Sequence, residues 1–354
     1  MSVEKSSSYS LAQSRAIVKD LMEPNGRIYW TDFLITITIA YSCAGIFFLS
    51  PLFSPQQIVA YFIAGFALHR LSNFIHEIAH LNAKRKLRAF QVAWNVMAGV
   101  PTLMPSFFFE KHMDHHNTGH FGTRSDCEYV PLGRGPLRNI GFFMAQIFLQ
   151  PIFTVFRFVV VTPISFLHPK LRQWTLDNYS TFVFVLPCPR VIPKNAPRKF
   201  WAFMDIACWI RGSLIFALVF VGANPWYRIP QIYCLAILPL TLHYTRSLTA
   251  HFYLSNGKKQ SFEGQLMDSI DIRGNFLTEL LYPIGLRYHA LHHLFPSMPY
   301  HNLGEAHRRL MAELPAESPY RKLVYPSFFS VIRQLVANSR QSSRAPKVER
   351  SAAV

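Results

Sequence analysis

The sequence predicts an all-α integral membrane protein with four transmembrane helices, additional interfacial helices and a histidine-rich cytoplasmic cap. Three observations support this. Half of the 354 residues are apolar and only 16% are charged, against about 25% charged in an ordinary soluble domain. The apolar residues are bunched, and Phe33 to His69 contains no Asp, Glu, Lys or Arg. Histidines fall in three tight clusters instead of being scattered.

A helix needs about 20 apolar residues to cross a bilayer. Phe33–His69 holds two such spans if Pro51 to Gln57 (PLFSPQQ) forms the turn between them. The expected spans are about 29–50, 58–80, 203–223 and 228–248, within a membrane domain at 28–338. A cytoplasmic N-terminal segment (1–27) precedes it, and a disordered basic tail (339–354) follows. Two more apolar stretches are expected to lie at the interface. Gly99, Pro101 and Pro105 interrupt Ala89–Phe109, while Pro151, Arg157 and Pro163 interrupt Asn139–His168. Lys170, Arg172, Arg190, Lys194, Arg198 and Lys199 outnumber Asp177 in the loop 169–200, and that bias places it inside.

The first 26 residues lack the short apolar core of a cleaved signal, so the first span is expected to direct insertion. The net charge of +17 resides in loops between apolar segments, and no groove-reading motif accompanies it. Nucleic acid is therefore not an expected partner. The five cysteines form no C-x-x-C pair and are expected to be single thiols.

The clusters are His76-Glu-Ile-Ala-His80, His112-Met-Asp-His115-His116 and His289-Ala-Leu-His292-His293. Residues at i, i+3 and i+4 share a helix face, so each cluster aims two or three imidazoles one way. All three fall on the cytoplasmic side of the topology that hydropathy and loop charge define. His251, at the end of the fourth span, is a ninth candidate. Nine imidazoles suit two metals with four or five ligands each. Imidazole binds Zn, Cu, Fe and Ni, but a zinc hydrolase needs only about three protein ligands per metal. An all-nitrogen dinuclear site favours redox chemistry and iron. Ligating imidazoles usually give their second N–H to a carboxylate or carbonyl; Glu77, Asp114, Asp271 and Glu279 are the expected partners, with Asp126 and Asp268 read as solvated loop acids. Trp94, Phe107 and Phe108 stand near the clusters as possible walls of a hydrocarbon cavity.

These clusters, with RSLTAH (246–251) and NFLTELLYPIGLRYHALHHLFPSMPYHNL (275–303), resemble the membrane fatty-acid desaturase and hydroxylase superfamily over about residues 60–310. The resemblance implies that His76, His80, His112, His115, His116, His251, His289, His292 and His293 ligate two iron ions. It further implies O2 as co-substrate and oxidation of an unactivated C–H bond of a lipid or acyl chain. A double bond in a fatty acyl chain is the expected product, and an alcohol is the alternative. Ser247 and Ala250 depart from the family, which often pairs an Asn or acid with the histidine at the position of His251. The 354 residues contain neither a cysteine cluster nor a nucleotide-binding glycine motif, so a ferredoxin, rubredoxin or cytochrome is expected to supply electrons. A bacterial inner membrane is the expected location, or the endoplasmic reticulum in a eukaryote. A membrane b-type cytochrome would place its histidines singly across helices, and a metal transporter would need ionisable groups at mid-membrane depth. The clusters fit neither pattern.

Overall fold

A computed structural model describes residues 11–81, 87–182 and 188–344. The described residues are overwhelmingly helical; their only sheet is one pair of two-residue parallel strands, β1 (Asp271–Ile272) and β2 (Val324–Tyr325). The chain forms two compact units. One comprises Gly26–His112 and Met144–His243; the other comprises the segment through Asn25, Met113–Phe143 and the chain from Tyr244 onward.

The first unit carries most of the long apolar helices. Helices α1 (Gly26–Leu49) and α2 (Pro55–Leu81) form the hairpin expected around the Pro51 turn. Phe47 of α1 packs on Ala60 and Ala64 of α2 and on Leu235 of α9 (Arg228–Ser247). Small residues permit close helix approach in a membrane: a Cβ on Gly65 would come within 2.3 Å of the Leu238 side chain. Polar links also join the hairpin. Arg70 binds Asp32 at 2.5 and 3.0 Å, and the Tyr29 hydroxyl donates to Glu77 Oε2 at 2.5 Å.

The stretch after α2 is broken, as its glycine and prolines require. Helix α3 (Arg88–Trp94) passes into a π-helical turn at Asn95–Gly99, and a 3-10 turn follows at Ser106–Phe109. Asn95 closes this fold on itself, donating to Ser106 Oγ at 2.8 Å and accepting from the Ser106 N–H at 2.9 Å. Trp94 is buried, and its indole donates to the Leu71 carbonyl at 2.9 Å. Phe107 stacks on Trp201 and Phe108 on Phe158, with centroids 5.2 and 5.3 Å apart. Trp94, Phe107 and Phe108 are thus packed core and not walls of a hydrocarbon cavity.

The stretch 137–165 differs from expectation. It is helical throughout, with α5 (Leu137–Phe156) continuing through a π turn at Arg157–Val161 into α6 (Thr162–Ser165). Pro151 does not break it, and Arg157 is neutralised at long range. Its guanidinium lies 3.4 Å from Asp205 on α8 (Arg198–Phe220), and it donates to the Tyr179 carbonyl at 2.6 Å. Arg172, on α7 (Pro169–Asn178), binds the same fully buried Asp205 at 2.6 Å. Among the described residues, the helices long and apolar enough to cross a membrane are Gly26–Leu49, Pro55–His80, Leu137–Ser165 and Arg198–Phe220. Expected span 228–248 falls on α9, which is helical but contains Pro239, His243 and Arg246 and is not one of these four.

The second unit is built on short helices: α10 (Phe262–Asp268), α11 (Phe276–Leu281), α12 (His289–Leu294), α13 (Tyr300–Glu313) and α14 (Phe328–Arg344). Ile270, Ile272, Tyr282, Leu286 and Val331 form its core. Isolated bridges pair His251 with Ser269 and Asp271 with Tyr288. The N-terminal segment is tied in: Asn302 donates to the Leu21 carbonyl at 2.7 Å, and Arg309 pairs with Asp20 at 2.8 Å. Residues 339–344, read in sequence as part of a disordered tail, extend α14 instead. Val331, Leu335 and Ser339 form its buried stripe, and Ser339 Oγ donates to the Gly135 carbonyl at 2.6 Å. Residues 345–354 lie outside the described residues. Cys43, Cys208 and Cys234 are free thiols as expected, whereas Cys127 and Cys188 are disulfide-bonded.

Asp205 compensates two cations in an apolar surrounding. Removing one partner from a buried ion pair costs about 3–5 kcal/mol. Asp205→Ala is therefore expected to lower the thermal midpoint of the detergent-solubilised protein sharply, and an unchanged midpoint would refute this account of Arg157.

Candidate metal centre

The centre's clearest part is a group of four imidazoles inside the second unit. His115 ends α4 (His112–His115). His251 lies just beyond α9, fixed by its bridge to Ser269. His289 and His293 sit one turn apart on α12. All four are buried, and their ligand atoms lie within 4.8 Å of one another. The Nε2 atoms face inward. His115 is 3.0 Å from His251, His251 is 2.9 Å from His289, and His289 is 3.2 Å from His293.

The outward nitrogens determine what those inward atoms can do. Asp126 Oδ2 accepts from His115 Nδ1 at 2.9 Å and from the Gly122 N–H at 3.0 Å. Gly122 supplies the turn with φ +65°, where a Cβ would press to 2.7 Å from Ser255. Ser269 Oγ donates to the Gln265 carbonyl at 2.9 Å and so accepts from His251 Nδ1 at 3.3 Å. With both protons turned outward, neutral His115 and His251 present bare lone pairs to each other at 3.0 Å. Only a proton or a cation between them relieves the repulsion.

A metal ion fits. Nitrogens bound at about 2.0–2.1 Å to one ion lie about 3 Å apart when adjacent, which is the spacing found. Imidazole donors suit first-row transition metals, and metal binding needs neutral rings. Burial, then the neighbouring His115, holds His251 well below the ordinary histidine range; burial and the surrounding imidazoles, led by His251, do the same to His289. Burial also pulls His115 down, but the charge and hydrogen bond of Asp126 outweigh it and leave that ring raised.

The other five predicted ligands form two smaller groups. His76 and His80 end α2 with ring centroids 5.0 Å apart, and His112 lies 4.7 and 5.1 Å from them within the same unit. His112 stacks on Phe109 at 4.7 Å. In the second unit, His116 Nε2 faces His292 Nε2 at 3.1 Å.

The expected carboxylate partners take several roles. Glu77 Oε1 is 3.9 Å from His76 Nδ1. Asp114 pairs at 3.1 Å with His120, outside the nine. Glu279 pairs with Arg287 at 2.6 Å. Asp271 is fully buried and holds the third cluster through its backbone, accepting from the Leu291 N–H at 3.1 Å and from the Tyr320 hydroxyl at 2.7 Å. Polar groups that touch the four-imidazole centre include Asp126, Ser269 and Gln265. Asp126 is buried here and is not the solvated loop acid expected, and Ser269 and Gln265 are partners that residue spacing alone does not reveal. Gln265 donates to the His115 carbonyl at 2.9 Å and reaches His293 Nδ1 at 3.1 Å. Asp268, also read as solvated, is enclosed. Its Oδ2 accepts from Tyr129 at 2.6 Å and lies 3.9 Å from His251 Nδ1. Burial pushes its carboxyl up to about 7, against the lowering pull of the Tyr129 hydrogen bond.

The fatty acid desaturase model matches residues 52–324, most of the chain. The chain belongs to the fatty acid desaturase family. A ceramide hydroxylase of Caulobacter vibrioides (strain NA1000 / CB15N) is 35% identical over 337 residues, covering 94% of each chain. This desaturase-family protein is accordingly a membrane oxidoreductase that uses O2, and its histidine groups are those that could hold the metal such chemistry requires.

Losing the partner of a ligating imidazole typically costs 10–100-fold in metal affinity or activity. Asp126→Ala is expected to weaken metal retention by about that factor, measured by competition with a chelator. Asp126→Asn should lose less, since its carbonyl still accepts from His115. Equal retention by wild type and Asp126→Ala would show that His115 is not a ligand.

Proposed function

We propose that this chain is a di-iron lipid hydroxylase that inserts one oxygen atom of O2 into a C–H bond of a ceramide-type sphingolipid. The balanced reaction takes R–H, O2, two electrons and two protons to R–OH and water. The four-imidazole centre carries the oxygenase part of the reading. The near full-length similarity to a ceramide hydroxylase favours hydroxylation over the desaturation that the sequence motifs alone put first. In desaturation the same inputs would yield a double bond and two waters.

In this reading His115, His251, His289 and His293 would hold one iron. His76, His80 and His112 in the first unit, and His116 and His292 in the second, are the remaining ligand candidates. Iron supplies the one-electron redox chemistry by which O2 is activated. The chain's own residues do the positioning. Asp126 keeps the proton on His115 Nδ1 and Ser269 keeps it on His251 Nδ1, so that both Nε2 lone pairs stay available. Phe121, Ala290 and Leu291, fully buried beside the ligands, exclude bulk water and lower the local dielectric. An external ferredoxin, rubredoxin or cytochrome supplies electrons. We place the protein in a bacterial inner membrane with the centre on the cytoplasmic side, as the loop charges suggest.

Expression in a ceramide-containing host, followed by mass spectrometry of total lipids, tests this reading. The expected product is a ceramide carrying one extra oxygen that derives from isotope-labelled O2, and His289→Ala should abolish it. A lipid lacking two hydrogens would identify a desaturase instead. An unchanged lipidome from iron-loaded protein supplied with an electron donor would sink both readings.

A further inference from the structure

A polar cavity of about 610 Å³ opens in the second unit, away from the inward-facing Nε2 atoms. Its walls include Arg273, Arg287, Tyr288, Glu305, His307 and Arg308. Three guanidinium groups thus face one carboxylate. Glu305 is held by Arg308 at 2.5 Å and by Arg309, behind it, at 2.9 Å. Glu279 takes up part of the Arg287 charge. Arg273 is exposed and makes no side-chain hydrogen bond or ion pair among the described residues. The cavity therefore offers positive charge to an incoming anion.

One lining residue is Tyr288, immediately before His289 in the chain. Tyr288 accepts a hydrogen bond from Arg287 and packs on His307, with ring centroids 5.0 Å apart. His307 Nδ1 meets the Tyr320 hydroxyl at 2.6 Å, and Tyr320 donates to Asp271 at 2.7 Å. Asp271 in turn holds the Leu291 N–H between His289 and His292. A molecule seated in the cavity is one peptide bond from a centre ligand and is also linked to the same helix by hydrogen bonds.

We propose that this cavity is the docking site for an acidic one-electron carrier protein, with Arg273, Arg287 and Arg308 receiving its carboxylates and Tyr288 forming the entry to His289. The proposal rests on the oxygenase reading, in which each turnover consumes two external electrons. Two reduced carriers are each oxidised by one electron, and the pair of electrons is used with two protons and one O2. Complementary charge accelerates encounter and sets salt dependence. A small anionic headgroup would be held by the same guanidiniums, but it has no need of the direct covalent route to a ligand.

The test uses the full-length, iron-loaded protein in detergent, with an acidic iron–sulfur ferredoxin as the carrier. Binding is measured directly at low and high salt, and turnover is driven either by the carrier or by dithionite. Wild-type binding should weaken as salt rises. The double variant R273E/R308E should bind the carrier about tenfold or more weakly, and the ratio of carrier-driven to dithionite-driven turnover should fall in step. Lys258→Glu, an exposed change elsewhere on the same unit, controls for net charge. No ferredoxin binding, equal loss in the Lys258 control, or a raised lipid KM with carrier binding intact would overturn the proposal; the last outcome would identify a headgroup pocket. Carrier binding at the cavity without any oxygenated lipid would instead refute the substrate assignment and leave the docking site standing.

Discussion

Nε2 atoms of buried imidazoles that stand about 3 Å apart repel one another unless a positive charge lies among them. Much of the second unit serves to hold them in that arrangement. Asp126 and Ser269 fix the outward protons, burial suppresses protonation of His251 and His289, and short bridges fix where His251 and α12 stand. Each device is costly without a bound cation, since buried polar groups are tolerated only when satisfied. A metal ion that bound only the folded arrangement would therefore stabilise this unit.

The histidine clusters were legible because their spacing is local. Residues i, i+3 and i+4 share a face whatever surrounds the helix, so HEIAH, HMDHH and HALHH declared themselves. His251 was found by its place at the end of an apolar segment. What was not legible depended on the chain turning back. Asp126 reaches His115 because Gly122 turns the backbone left-handed between them. Ser269 reaches His251 through an isolated bridge. A glycine in the polar stretch FGTRSD is the sequence signal for the turn that brings Asp126 inward. Glu279 illustrates the converse: closeness to a cluster in sequence did not bring its carboxylate to an imidazole.

The membrane helices show the same division. Hydropathy located the α1–α2 hairpin and α8. It was discounted for residues 137–165, where proline and arginine argued against a continuous apolar helix. Both warnings were local, and the answer to them was distant: Asp205, 48 residues beyond Arg157, neutralises the guanidinium that seemed out of place. An arginine in an apolar helix thus carries information about a partner elsewhere as well as about the helix itself.

Helix α12 supplies three of the nine candidate ligands yet spans only six residues. A helix that short is not stable alone, so its orientation must come from its surroundings. Two backbone donors show how. The Ala290 N–H bonds to the Ile270 carbonyl at 3.3 Å, and the Leu291 N–H to Asp271 at 3.1 Å. Ile270 and Asp271 belong to the segment that runs into β1, which β2 pins from the other side. The buried Asp271 therefore acts on the backbone of this cluster, leaving the imidazoles to other partners. Two carboxylates thus divide the work: Asp126 fixes which nitrogen of His115 is available, and Asp271 fixes where the third cluster stands. A search for acids beside histidines finds residues of both kinds but cannot assign these roles, because only the fold determines whether a carboxylate meets a ring or a peptide.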